Sequence, residues 1–143
     1  MSSPACHNTC DIKSLIPQRE PILMVESFTY VDEQHCQSEL TIAEDNIFVD
    51  ETGRMAEEGI LEHIAQTAAA YVGKCRLDAG EEVNMGYIGD IKRCVISAPM
   101  PVVGDVLHTQ MQIVSQVGNI TMIAAETMVA GRTVVTCRMK LAN

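Results

Sequence analysis

The residue types best suited to chemistry in this chain are a carboxylate and an amide four positions apart, Glu62 and Gln66. They belong to the stretch GRMAEEGILEHIAQTAAAYVG, residues 53–73, in which apolar residues recur every three or four positions. That spacing predicts an α-helix with a broad apolar face and puts the two polar side chains one turn apart on one side. A carboxylate held among Ile, Leu and Ala side chains is poorly solvated, which suits it to moving a proton near neutral pH.

The four histidines of the chain are the other candidates for proton transfer. His63 follows Glu62 directly, but its side chain points about 100° away around the helix. We therefore predict that His63 is packed in the core or at an interface. We predict that His7 lies in the N-terminal segment. We predict His35 at a turn and His108 on an exposed strand face.

The six cysteines are scattered along the chain and do not indicate a disulfide framework. Cys6, His7 and Cys10 form a C-H-x-x-C cluster that suggests a metal or haem site. Covalent haem attachment needs the order C-x-x-C-H, however, and a closed zinc site needs four ligands. We therefore expect residues 1–10 to form a loose N-terminal segment, and we expect no metal ion and no cofactor.

Composition narrows the class of protein. The length of 143 residues predicts one domain, spanning 1–143, with a single core. A net charge of -9 and an aromatic content of 3% argue against nucleic-acid binding, which needs cations and stacking surfaces. The chain has no apolar run long enough for a membrane helix and no secretion signal, so we expect a cytoplasmic protein without membrane contact.

Secondary-structure signals place the central helix between two groups of strands. A short helix at 11–16 is followed by a hairpin of strands at 22–30 and 36–42. A loop at 43–53 leads into the central helix. Four further strands follow, separated by turns that contain Gly or Pro, at 83–96, 105–116, 119–130 and 132–141.

A meandering antiparallel sheet wrapped around one helix satisfies this order, because the helix has apolar faces to bury and tight turns join the later strands. Apolar and polar residues alternate in the last strand, which predicts that one face of the sheet packs on the helix. We therefore predict an α+β protein with the hotdog fold, an antiparallel sheet around one long central helix.

Three segments resemble the 3-hydroxyacyl-thioester dehydratases of bacterial fatty-acid synthesis. LIPQREPILMVESF at 15–28 is similar to the opening motif of that family, and ILEHIAQTAA at 60–69 is similar to its E-x-x-A-Q helix motif. YIGDIKRCVISAPMPVVGDVL at 87–107 resembles its third motif. The resemblance covers nearly the whole chain and implies a hotdog protein that binds an acyl thioester of acyl carrier protein or coenzyme A.

The resemblance also implies roles for residues of the central helix. Glu62 matches the catalytic carboxylate of the family, and Gln66 matches the glutamine that follows it. The family uses a loop histidine as the base that removes the C2 proton, but the matching loop here, NIFVDETG at 46–53, has none. Dehydratase-like hotdog proteins of polyene-type pathways are more similar, through Gly53, Met55, Ala56, Glu62, Ile64, Ala65 and Gln66.

Substrate-binding positions follow from the same resemblance. They lie at the start of the helix and in the segment after it: Met55, Ala56, Gly59, Tyr87, Ile88, Gly89, Lys92 and Arg93. Lys92 and Arg93 are implied to lie near the mouth of the acyl tunnel, where a phosphopantetheine arm or an acidic carrier surface requires cations. The alternative is that both are ordinary solvated strand residues.

Three functions are compatible with these residues. In the first, the chain is a dehydratase or a dehydratase-like subunit in which Glu62 gives a proton to the departing 3-hydroxyl. In the second, it is a hotdog thioesterase whose Glu62 activates water or attacks the carbonyl. In the third, it is a non-catalytic acyl-binding partner.

An exposed sheet edge predicts at least a homodimer, or a heterodimer with a histidine-bearing homologue.

Overall fold

In the part of the chain that the structure describes, seven strands form one antiparallel sheet and a long helix packs against it. The computed structural model describes residues 8–81 and 87–142. The elements are β1 Asn8–Cys10, β2 Ser27–Asp32, β3 His35–Thr41, α1 Glu57–Asp78, β4 Tyr87–Ile96, β5 Val106–Val117, β6 Ile120–Val129 and β7 Arg132–Ala142. Across the sheet the order is β1-β2-β3-β5-β6-β7-β4, so β1 and β4 form the two edges. The predicted hotdog arrangement is confirmed.

Most strand boundaries follow the sequence pattern. Strands β3, β5, β6 and β7 begin and end within one residue of their predicted bounds. Tight turns join the last three strands, as the Gly-containing signals indicate, and Ala130 and Gly131 both have positive φ in the turn before β7. Strand β4 begins at Tyr87, and the four residues predicted to precede it in the strand lie outside the described residues.

The first predicted strand, 22–30, is wrong in its first half. Strand β2 begins only at Ser27, because a helix side chain binds the backbone before it. The Gln66 amide accepts a hydrogen bond from the Met24 N–H and donates one to the Ile22 carbonyl. The apolar residues at 22–25 therefore form a segment tied to α1.

The N-terminal region also differs from the prediction. The helix predicted at 11–16 is a single 3-10 turn at Ile12–Ser14. Asp11 caps this turn, because its side chain accepts a hydrogen bond of 3.2 Å from the Lys13 N–H. Residues 8–10, which were expected to be loose, form β1 and pair with β2. The first two members of the C-H-x-x-C cluster lie outside the described residues.

Helix α1 is the predicted central helix with both ends shifted toward the C-terminus. It begins at Glu57 because Arg54 and Met55 form isolated β-bridges and the N-cap residue, Ala56, has an extended backbone. It continues through Gly73, the last residue of the predicted stretch, and ends at Asp78. A Cβ at Gly73 would collide with the Leu15 carbonyl oxygen, so glycine there serves close packing of the 3-10 turn on the helix.

The core lies between α1 and the inner face of the sheet. Alternation in β7 is as predicted, with one set of side chains facing the helix: Val135, Cys137, Met139 and Leu141. The helix is buried on most sides, also as predicted, but three of its buried residues are polar. These are His63, Gln66 and Thr67, which must find hydrogen-bond partners inside the protein.

Candidate active site

The candidate catalytic carboxylate, Glu62, lies half-buried in the second turn of α1. Its Oε2 accepts a hydrogen bond of 2.8 Å from Nε2 of Gln66, so the two side chains share one side of the helix as their spacing predicts. No hydrogen bond from the described residues reaches Oε1 of Glu62. One carboxylate oxygen of Glu62 is therefore held by Gln66, and the other is available. Glu62 is also more exposed than we predicted from its aliphatic neighbours in the sequence.

Gln66 is only 1% exposed and its amide orientation is fixed by backbone groups. Its Oε1 accepts the Met24 N–H at 2.6 Å, and its Nε2 donates to the Ile22 carbonyl at 2.8 Å. Because an N–H can only donate and a carbonyl can only accept, the opposite amide orientation is excluded. Nε2 must therefore face Glu62, which makes Gln66 a group that can position the carboxylate.

His63 is fully buried and points into the sheet, which agrees with its prediction as a packed residue. Its Nδ1 donates to the Met24 carbonyl at 2.7 Å, so Nε2 is the acceptor, and the Thr109 hydroxyl lies 2.9 Å from it. Burial lowers the pKa of His63 to about 4, although its hydrogen bond to Met24 opposes the shift. The ring is neutral at pH 7, and its described hydrogen-bond partners do not include Glu62.

Four buried hydroxyls complete the polar centre of the core. The Thr67 hydroxyl donates to the His63 carbonyl at 2.8 Å and lies 2.7 Å from that of Ser38, while the Thr109 and Thr127 hydroxyls are 2.6 Å apart. This network joins α1 to β3, β5 and β6. This network is not among the features predicted from the sequence, although polar residues at inward-facing positions of alternating strands are a usable signal.

The start of α1 carries three of the predicted substrate-binding residues. Ala56 is its exposed N-cap and provides no side-chain cap, and Met55 just before it is buried. A Cβ at Gly59 would collide with Phe48 and Met55, so this glycine allows the preceding loop to pack on the first turn. The uncapped N–H groups of this turn form the positive end of the helix dipole.

Strand β4 carries the other predicted positions. The backbones of Tyr87 and Ile88 pair with β7, and Gly89 lies between Ile88 and the next paired residue, whereas their side chains lie outside what the structure describes. Lys92 and Arg93 are exposed. Burial, and then the Glu57 carboxylate, raise the pKa of the Cys94 thiol on the same strand.

The remaining described histidines lie on the outer side of the sheet. His35 Nδ1 lies 2.8 Å from an Asp32 carboxylate oxygen, and His108 Nδ1 lies 3.0 Å from a Glu39 carboxylate oxygen. Within the described ranges, no histidine is bonded to Glu62, and no three His, Cys, Asp or Glu side chains are grouped as metal ligands. The described site is thus a carboxylate and its amide partner beside a helix start.

The fold and this site define a hotdog protein with a carboxylate on its central helix. The chain belongs to the ApeP-like family of ApeP dehydratases, whose model matches residues 10–143. The predicted resemblance to hotdog dehydratases is thereby confirmed. No curated protein matches the sequence significantly.

Solved structures with similar folds include a dehydratase and two other hotdog proteins. The dehydratase heterocomplex ApeI:P from Xenorhabdus doucetiae matches with a TM-score of 0.84 and 20% identity over 92% of this chain and 90% of that chain. A hypothetical thioesterase with coenzyme A from Streptococcus pneumoniae matches with a TM-score of 0.62 and 14% identity, covering 77% and 78%. The PaaI protein of Escherichia coli, from the phenylacetic acid degradation operon, gives 0.62 and 13%, covering 78% of each chain.

At these identities the solved structures establish the shared fold. In the described part of the chain, no helix has the length and apolar character needed to cross a membrane.

Proposed function

We propose that this protein is a 3-hydroxyacyl-thioester dehydratase-like subunit of fatty-acid or polyene-type biosynthesis, with Glu62 as its proton donor. The observation that carries the proposal is the orientation of Glu62 by Gln66, which leaves Oε1 available. In dehydration a base removes the proton from C2, the bond from C3 to the hydroxyl breaks, and an acid protonates the leaving oxygen to give water. The uncapped start of α1 would polarise the thioester carbonyl.

The base for the C2 proton would come from a partner subunit. The loop at 46–53 has no histidine, and the described histidines are bonded to groups other than Glu62. The dehydratase heterocomplex from Xenorhabdus doucetiae supports a second, different subunit, and our proposal is that this subunit is a histidine-bearing homologue. A heterodimer of two single hotdog domains in the cytoplasm would then contain both halves of the acid and base pair.

The substrate would be an acyl thioester of acyl carrier protein or coenzyme A. Coenzyme A in the structure of the Streptococcus pneumoniae neighbour supports this class of ligand. We assign the acyl group to the helix start, beside Met55, Ala56 and Gly59. The carrier arm would pass the edge strand, which contributes Tyr87, Ile88, Gly89, Lys92 and Arg93.

The test uses three substrates and two signals. The protein, alone and with a histidine-bearing homologue, is incubated with 3-hydroxyacyl, enoyl and saturated acyl thioesters while enoyl absorbance and free thiol are followed. We expect little dehydration by the chain alone and a marked rise in dehydration of the 3-hydroxyacyl substrate when the homologue is added. No change in enoyl absorbance or in free thiol, together with measurable acyl-carrier binding, would instead support a non-catalytic partner.

A hotdog thioesterase is the second candidate. A lone helix carboxylate is sufficient for this reaction, because Glu62 can activate water or attack the carbonyl without a base at C2. The similarity in fold to the hypothetical thioesterase from Streptococcus pneumoniae favours this alternative. Rapid release of thiol from all three substrates without a rise in enoyl absorbance would establish it and would exclude the dehydratase.

A further inference from the structure

The outer face of the sheet, opposite α1, contains an open groove of about 470 Å³. Ala124 has the smallest outward side chain along it and is paired with Gln112 on one side and Arg138 on the other. Gln110 and Gln112 line one end, and Arg93 and Arg138 line the other. The groove therefore combines amide groups with a cationic end.

The cationic end stands out against the charge of the whole chain, which is -9. Five of the 10 lysines and arginines lie on β4 and β7: Lys92, Arg93, Arg132, Arg138 and Lys140. Lys92 is directly opposite Arg138, an arrangement in which like charges destabilise a sheet. Among the described residues Lys92 has only Asp90, at 3.9 Å, as a counter-ion, and Arg93 and Arg138 have no hydrogen-bond or ion-pair partner.

The backbone of Arg93 is bent in a way that turns its side chain to this face. Neighbouring residues of a regular strand point to opposite faces, so Arg93 would point toward the helix side if Lys92 points outward. A bulge between Lys92 and Val95 interrupts this alternation, and Arg93 has a φ of 51°. An arginine in the left-handed region is strained, whereas glycine would not be. The guanidinium is thus held in the groove at a conformational cost.

One acidic side chain also lines the groove. Glu126 accepts a hydrogen bond of 2.6 Å from the Thr133 hydroxyl, which occupies one of its oxygens. His35, at the far side, is paired with Asp32. Asp90 offsets the charge of Lys92, so the two guanidinium groups of Arg93 and Arg138 leave this end of the groove positively charged after Glu126 is counted.

We propose that Arg93 and Arg138 form a binding site for a phosphate group on the outer face of the sheet. Guanidinium groups match phosphate oxygens through paired, charge-assisted hydrogen bonds. The amides of Gln110 and Gln112 would hold the polar remainder of the ligand. The phosphate could belong to the arm that carries the acyl group or to free inorganic phosphate, and only the first of these sources rests on the proposed function.

Calorimetric titrations with inorganic phosphate, coenzyme A and pantetheine test the site. We expect inorganic phosphate and coenzyme A to bind. Pantetheine, which lacks phosphate, should bind more weakly than coenzyme A by about tenfold or more. Tighter binding of coenzyme A than of inorganic phosphate would assign the phosphate to the carrier arm, and equal binding would assign it to the free ion. Equal affinity for pantetheine and coenzyme A, or no binding of any phosphate, would overturn the site.

The variant Arg93→Gly provides the sharpest test, because glycine retains the left-handed backbone and removes the guanidinium. We expect coenzyme A affinity to fall about tenfold or more, while the thermal midpoint is unchanged or higher. Arg138→Gln should weaken binding similarly. Lys13→Gln, which removes an equal charge from an exposed pair far along the chain, is the control and should change affinity less than about twofold.

Unchanged binding by Arg93→Gly, or an equal loss with Lys13→Gln, would overturn the proposal. These titrations need neither turnover nor a partner. If dehydration proceeds but phosphate does not bind, the outer-face site fails and the proposed function remains. If phosphate binds but no dehydration occurs, the proposed function fails instead.

Discussion

Gln66 connects the candidate carboxylate to the backbone of the protein. Its amide binds Glu62, the Ile22 carbonyl and the Met24 N–H at once. Gln66→Met keeps the side-chain length but leaves the buried Met24 N–H and the partly buried Ile22 carbonyl without their partner. We expect a loss of about 2–4 kcal/mol in the free energy of unfolding, measured with urea. A loss below about 0.5 kcal/mol would contradict this role, since that is typical of surface substitutions.

His63 makes the protein sensitive to acid. Its pKa of about 4 in the folded state lies below the ordinary value of 6.5, so the unfolded chain binds the proton more readily. The stabilising effect of the neutral ring is complete above pH 6.5 and is lost as the pH falls toward 4. Over that interval we expect a loss on the order of 3 kcal/mol in the free energy of unfolding.

The control for this pH effect is His63→Asn, which can still donate to the Met24 carbonyl but does not titrate. Urea unfolding at pH 7.0, 5.5 and 4.5 should show a smaller decline for the variant than for the natural chain. Parallel declines of the two proteins would assign the acid sensitivity to other groups.

The sequence predicts this site only in part. The spacing of Glu62 and Gln66 and the divergent direction of His63 follow from helix geometry alone. The partners of His63 do not, because Met24, Ser38 and Thr109 are distant in the chain and meet it only after the sheet closes around α1. Inward-phase serine and threonine are compatible with the strand pattern but do not identify their partner.

At the scale of elements, Gly73 shows that tertiary packing decides the structural role of a residue. An isolated glycine suggests a helix end, yet α1 continues for five residues beyond it. The Leu15 carbonyl that packs there belongs to a 3-10 turn remote in sequence. In the same way, the apolar run at 22–25 satisfies a strand pattern, and its hydrogen bonds to the Gln66 amide explain why it is tied to the helix.

Gly73→Ala tests this packing. Alanine is the better helix former by about 1 kcal/mol, but its methyl group collides with the Leu15 carbonyl. We expect a net loss of about 1–3 kcal/mol in the free energy of unfolding, as overpacking usually gives. Leu77→Ala, at a largely exposed position of the same helix, should change it by about 0.5 kcal/mol at most. A more stable Gly73→Ala variant would contradict the close contact.

At the scale of the whole molecule, β4 is an open edge with exposed apolar side chains. Ile91 is 38% exposed and Val95 is 60% exposed. An unpaired edge of this kind favours pairing with a second sheet, so we expect at least a dimer, with itself or with a histidine-bearing homologue. Light scattering that gave only a 15.6 kDa monomer, alone and in the mixture, would contradict this expectation.

A matched pair of variants locates the interface. Val95→Lys places a charge on the edge strand and should weaken the dimer by about tenfold or more. Val117→Lys, at the exposed end of β5, should leave the dimer intact although Val117 is 75% exposed. Equal effects of the two variants would place the interface elsewhere.

The overall architecture is the part that the sequence predicts best. Tight-turn signals define the last three strands, and the alternation in β7 identifies the face that packs on α1. The order of the sheet, with β3 beside β5 and β4 at the far edge, depends on long-range pairing that local patterns do not contain. Local patterns in one chain also do not contain the contacts that it makes with a partner subunit.

The central claim is that this chain supplies the acid and a partner supplies the base. The most direct test compares Glu62→Gln with the natural chain, each mixed with a histidine-bearing homologue, in the formation of enoyl thioester. We predict a fall in turnover of about a hundredfold or more with an unchanged complex and thermal midpoint, because the substitution is isosteric. Glu58→Gln, in the exposed first turn, is the control. An undiminished rate in the complex with Glu62→Gln would contradict the account.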